Sequence, residues 1–112
     1  NGNQDFIKKI AKSFKERRDY VVKSLNNING ISCLKPNGAF YVFPNCKKLL
    51  NKKTKLKKDT DFVQKLLEKQ NVAAVQGSAF GLDGYFRISY ATSMAKLKIA
   101  MNRIRKFCED LV

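Results

Sequence analysis

The sequence contains no histidine, and among its 112 residues are only two prolines, three cysteines and nine acids. Without histidine, a Ser-His-Asp or Cys-His catalytic arrangement cannot be assembled within the chain. The same absence leaves a zinc site to carboxylates and thiolates, and these do not cluster at ligand spacing. Cys33, Cys46 and Cys108 are odd in number and include no C-x-x-C pair. They read as small buried hydrophobes in a reducing compartment. Apolar runs extend only a few residues, too short for a transmembrane helix. The polar opening Asn1-Gly2-Asn3-Gln4-Asp5 does not read as a signal peptide, and without an initiator Met the chain reads as a piece of a longer protein.

What is present is a globular composition: 44% hydrophobic and 11% aromatic residues, in a length that suits one domain over residues 1–112. The charge is lopsided. Lys+Arg 23 against Asp+Glu 9 gives a formal +14, and seven lysines fall in Lys47–Lys58, KKLLNKKTKLKK, without one acid. Removing those seven charges leaves +7, ordinary for a surface. Such a run could bind nucleic acid or an acidic membrane. It lacks the interleaved aromatics and arginines that base recognition uses, so a solvated, flexible connection is the reading it supports.

Periodicity places the elements. Phe6/Ile7, Ile10, Phe14, Val21 and Leu25 recur at the helical period over Asp5–Asn27, and Asn29-Gly30 stops the helix. Ile31–Leu34 and Ala39–Phe43 read as strands of an antiparallel hairpin around Lys35-Pro36-Asn37-Gly38. A second helix starts near Asp61, with Phe62, Val63, Leu66 and Leu67 as its stripe and Asn71 as its end. Val72–Val75 and Tyr85–Tyr90 read as strands separated by a loop with Gly77, Gly81 and Gly84. Thr92-Ser93 caps a last helix with the stripe Leu97, Ala100/Met101, Ile104, Cys108 and Leu111. The order helix-strand-strand-helix-strand-strand-helix predicts an α+β two-layer sandwich. Its sheet is mainly antiparallel with about four strands, and the helices cover one face.

The strand YFRISY carries the most information. Alternation puts Phe86, Ile88 and Tyr90 on one side, suited to lie under helices, and Tyr85, Arg87 and Ser89 on the other. An arginine fixed on a strand offers a planar fork that matches a carboxylate; a surface or internally paired arginine is the competing reading. In Phe40-Tyr41-Val42-Phe43 both faces are apolar. Either two-sided core packing or a ligand, second domain or partner chain must cover the face away from the helices. Two other likenesses fail on spacing. Asn37–Phe43 does not match the alternating aromatics of an RNA-recognition strand. Gly77–Gly84 matches neither G-x-G-x-x-G nor G-x-x-x-x-G-K-[ST], and a strand follows it.

Three stretches together resemble the C-terminal part of class I, fold-type I pyridoxal-phosphate-dependent aminotransferases, most nearly the bacterial aspartate aminotransferases. They are Arg17-Arg18-Asp19-Tyr20, Pro36-Asn37-Gly38-Ala39-Phe40-Tyr41-Val42-Phe43-Pro44, and Gly77-Ser78-Ala79-Phe80-Gly81 through Gly84–Ser93. The resemblance implies that Arg87 holds a substrate α-carboxylate, and that Phe40 and Gly38 line the active site beside it. It implies a pyridoxal 5'-phosphate cofactor held by a large domain outside this chain, which alone is expected to be inactive. It further implies an amino-acid/2-oxo-acid substrate pair (aspartate with a 2-oxo acid such as 2-oxoglutarate), a homodimer, a cytoplasmic location and no membrane or nucleic-acid partner. Gln76 stands where the family usually has proline, which leaves the rigidity of the following loop open. The alternative from a different class is a stand-alone basic nucleic-acid-binding module.

Overall fold

The computed structural model describes residues 2–36 and 40–111, with side chains from residue 8 onward. Helix α1 spans Gly2–Asn26, α2 Asp59–Gln70 and α3 Met94–Leu111. The strands are β1 Tyr41–Val42, β2 Val75–Gln76 and β3 Phe86–Ser89. They form a three-stranded antiparallel sheet in the order β1-β3-β2. The α+β layered architecture agrees with the sequence expectation, with one strand fewer.

The missing strand has a physical reason. Ile31–Leu34 does not pair along its length; Ser32 makes a single antiparallel bridge to Asn45, which bridges onward to Tyr85. The Asn26 side chain takes up the backbone of Cys33 instead, accepting from its N–H and donating to its C=O, both at 2.8 Å. A side chain thus replaces a ladder rung. The expected hairpin is corrected to one bridge, and its Asn37-Gly38 turn lies outside the described residues. The strand expected at Val72–Val75 is also displaced, pairing only at Val75 and Gln76.

Each helix end follows local chemistry. Asn71 takes the left-handed conformation at φ 55° and closes α2. At the other end α2 begins two residues earlier than expected, and the Asp61 carboxylate reaches back to the N–H groups of Lys57 and Lys58. Ser93 Oγ accepts from Lys96 N–H at 3.2 Å, capping α3 as expected.

The core lies between the helices and one face of the sheet. Phe86 and Ile88 of β3 and Val42 of β1 are buried there. The Phe62 ring of α2 sits 4.9 Å from that of Phe86 and 5.3 Å from that of Phe107 on α3. Val21 and Leu25 of α1 complete the layer, whereas Ile10 further up the helix is exposed. The lysine-rich segment is not a free connection. All its lysines are exposed, yet Leu49, Thr54 and Leu56 are buried and fasten it to the body.

Candidate functional site

With Phe86 and Ile88 committed to the helices, strand alternation turns Arg87 and Ser89 to the opposite face. Arg87 sits at the centre of the sheet, opposite Val75 of β2. Tyr41 of β1, opposite Ser89, stands diagonally next to it. The Arg87 Cζ lies 4.7 Å from the ring centroid of Tyr41 and 4.7 Å from that of Phe80. The guanidinium thus lies over two aromatic faces, each of which attracts a cation. Phe43 joins the enclosure, its ring 6.2 Å from Tyr41 and 5.8 Å from Phe80, edge-on to both.

No acid meets this cation among the described residues. Their ion pairs are Arg18 and Lys35 with Asp19, Lys65 with Glu68, and Arg105 with Glu109. Arg17 offers the contrast. Its guanidinium is spent internally, donating to Thr92 C=O, to Ser13 C=O and to Ser13 Oγ, with Phe14 beneath it at 4.5 Å. Arg17 ties α1 to the approach to α3; among the described residues Arg87 has aromatic contacts and no hydrogen-bond acceptor.

Among the described residues, the Tyr41 and Phe80 rings beside Arg87 are themselves exposed, so its face is open. Concavities of about 540 and 570 Å³ lie elsewhere, one between α2 and α3 beside Leu56 and Phe107, the other beside Lys47 and Asp59. An anion on Arg87 is therefore gripped from one side by this chain. Phe40 and Tyr41 are exposed and Phe43 is partly so. Of the two readings of the aromatic strand, the uncovered outer face is the one observed.

The expected site residues are distributed unevenly. Arg87 stands on the open face as alternation required. The Phe40 ring packs against Phe14 of α1 at 5.0 Å, and its carbonyl accepts from Tyr90 N–H and Ser89 Oγ–H. The aromatic in contact with Arg87 is Tyr41, one residue on. Gly38 lies outside the described residues. Tyr41 was findable from strand parity once β1 was paired with β3. Phe80 carries no such signal, because it comes from the short 3-10 turn Gly77–Phe80.

Cys33, Cys46 and Cys108 are buried and unpaired. Burial pushes the Cys33 thiol up to about 11 and those of Cys46 and Cys108 up to about 12. These are not thiolates at neutral pH and they supply no nucleophile.

Comparison with known proteins matches residues 1–104 to the family model described as aminotransferase class I and II. The chain belongs to this family. Aminotransferases of this family generally use pyridoxal 5'-phosphate. Among its relatives, the aspartate aminotransferase of Rhizobium meliloti (strain 1021) is 53% identical over 99% of this chain. A probable aspartate/prephenate aminotransferase of Rickettsia typhi is 49% identical over the same share. The crystal structure of the Rhizobium meliloti aspartate aminotransferase superposes with a TM-score of 0.90 over 95% of this chain and 28% of its own. The Pyrococcus furiosus alanine aminotransferase, 41% identical, gives 0.85 over 95% of this chain and 26% of its own. The chain thus spans a little over a quarter of the length of the relatives it matches.

Proposed function

We propose that residues 1–112 are the small, substrate-holding domain of a pyridoxal-phosphate-dependent aminotransferase, with Arg87 binding the substrate α-carboxylate. The observation that carries this reading is the Arg87 guanidinium, placed over the rings of Tyr41 and Phe80 with no acid paired to it among the described residues. Two parallel N–H···O bonds from that fork orient a carboxylate, and charge-assisted bonds contribute about 1.5–3 kcal/mol each. By the family pattern Gly38 and Phe40 border the same site, and the ring of this strand in contact with Arg87 is that of Tyr41. Closure of the large domain over this open face removes water from the ion pair, which strengthens it.

The groups gathered at Arg87 fit a carboxylate, not the cofactor: they are one guanidinium and aromatic rings, and include no amine for the cofactor's attachment. Pyridoxal phosphate, held by a large domain outside this chain, supplies the electron sink for amino transfer. This chain's part is to bind the amino acid, fix its orientation and exclude water as the two domains close. The substrates are an amino acid, aspartate by the names of the relatives, and a 2-oxo acid such as 2-oxoglutarate. The whole enzyme is a cytoplasmic homodimer, and this chain alone does not transaminate.

The test is a chimera in which this chain replaces the matching segment of the Rhizobium meliloti aspartate aminotransferase. The chimera is expected to transaminate, and Arg87→Ala to lower kcat/KM by roughly two decades or more, from about 2–5 kcal/mol for truncating one partner of a buried charge pair. Arg87→Lys, which keeps the charge and loses the fork, falls between. An active chimera whose kinetics ignore Arg87→Ala removes the assignment.

A further inference from the structure

Asp59 is one of two buried polar residues among those described, 3% exposed, and it has no cationic partner there. Burying a carboxylate is costly unless its oxygens are taken up by donors. Here one oxygen accepts from Thr60 N–H at 3.0 Å, within the first turn of α2, where the helix dipole also favours an anion. The other accepts from Ser78 N–H at 2.7 Å, nineteen residues along the chain. That second bond does not serve α2.

Ser78 belongs to the turn Gly77–Phe80, which delivers Phe80 to Arg87. The turn is pinned at its start by Gly77 N–H to Tyr85 C=O at 2.7 Å, and at its exit by Leu82 N–H to Gly77 C=O at 2.9 Å. The opening N–H groups of a helical turn have no partner within it, and Asp59 supplies one from a different element. Phe80 is itself exposed and touches Arg87 and Phe43 rather than the core. Its position therefore depends on where the turn is held.

We infer that Asp59 is a positioning residue for the carboxylate grip: it fixes the Gly77–Phe80 turn through Ser78 and so keeps Phe80 stacked on Arg87. The inference rests on the proposed role of Arg87. Without the Asp59 bond the turn shifts, one wall of the guanidinium loosens, and the fork meets its carboxylate less well aligned. The loss falls on binding shared by ground and transition states, so it appears in KM and not in kcat.

The experiment uses the active chimera, with KM and kcat for aspartate and the dissociation constant of the non-reacting dicarboxylate succinate as readouts. Asp59→Ala is expected to raise KM and the succinate constant by roughly tenfold, the scale of losing one ring's contact with a cation, with kcat changed less than twofold. Asp59→Asn keeps an acceptor for Ser78 N–H and is expected to recover most of the affinity; it also carries the test should the alanine variant not fold. Leu66→Ala, a core truncation on the same helix, is expected to lower Tm while leaving the succinate constant unchanged. Phe80→Ala weakens succinate, and adding Asp59→Ala to it costs little more, because both act through one wall. Full additivity of those two changes overturns the inference, as does an Asp59→Ala enzyme with unaltered affinity or an equal effect from Leu66→Ala. If Arg87→Ala leaves succinate binding intact, the role of Arg87 itself fails; if Arg87→Ala abolishes it and Asp59→Ala does not, only the inference about Asp59 fails.

Discussion

Gln76 has φ −63° and ψ 135°, a backbone that a proline ring would impose without strain. Its neighbour Gly77 donates its N–H to Tyr85 C=O, so by antiparallel alternation the N–H of Gln76 points away from β3. Val75 before it is in a strand, as a residue preceding proline prefers. Gln76→Pro is therefore expected to stabilise the chain by about 0.4–1 kcal/mol, through the unfolded state. Thermal unfolding should show Tm higher by roughly 2–5 °C; a lower Tm would mean that the N–H has a partner. Gly77 beside it is held close to its neighbours: a Cβ there would lie 2.7 Å from the Tyr85 carbonyl oxygen. Arg87 was legible because a period of two assigns faces whatever the partners are. Phe80 was not, because its position depends on Asp59 meeting Ser78, a contact between residues nineteen apart that no local pattern encodes.

Among elements, the helices were the more legible, since a 3.6 period and a cap are local properties. α3 begins where Ser93 caps it and α2 ends where Asn71 turns left-handed. Strands depend on partners. Ile31–Leu34 had strand composition but lost its pairing to the Asn26 side chain. The lysine-rich segment was misleading for the opposite reason: its charge hid its anchors. Thr54 Oγ–H donates to Leu49 C=O at 2.6 Å, and Asn51 Oδ1 accepts from Thr54 N–H at 3.0 Å. Lys55 follows at φ 63°, and Leu56 then drops into the core. Asn and Thr three apart are turn chemistry and were readable as such. Leu56→Ala should lower stability by about 2–4 kcal/mol in a denaturant titration. Replacing Lys52 and Lys53 by Gln should leave it within about 0.5 kcal/mol, because exposed charges away from partners matter little. Equal effects from the two changes would show that the segment is held by charge and not by its leucines.

Across the whole molecule, positive charge and aromatic surface are carried largely by different parts, and the contact that joins them is Lys47 Nζ over the Tyr85 ring at 5.1 Å. The seven lysines of the basic segment flank Leu49 and Leu56, with no aromatic among them. The exposed rings of Tyr41 and Phe80 lie instead on the sheet's outer face, where both contact Arg87, while Phe40 packs against Phe14 of α1. A protein that grips single-stranded nucleic acid combines both features in one groove, so that bases stack while phosphates are neutralised. Separated, lysines give only attraction that salt removes. Six to ten phosphate contacts lose roughly three to five decades of affinity between 50 and 200 mM salt. The chain should therefore hold a single-stranded oligonucleotide weakly in 50 mM salt and not measurably in 200 mM. Tyrosine fluorescence should stay unquenched, and Arg87→Ala should bind no differently. Retention at 200 mM salt that survives Lys52, Lys53, Lys57 and Lys58→Gln, and that quenches tyrosine, would place bases on the open face. The free edges of Arg87 would then be meeting phosphate, and the amino-acid carboxylate would lose its claim to them.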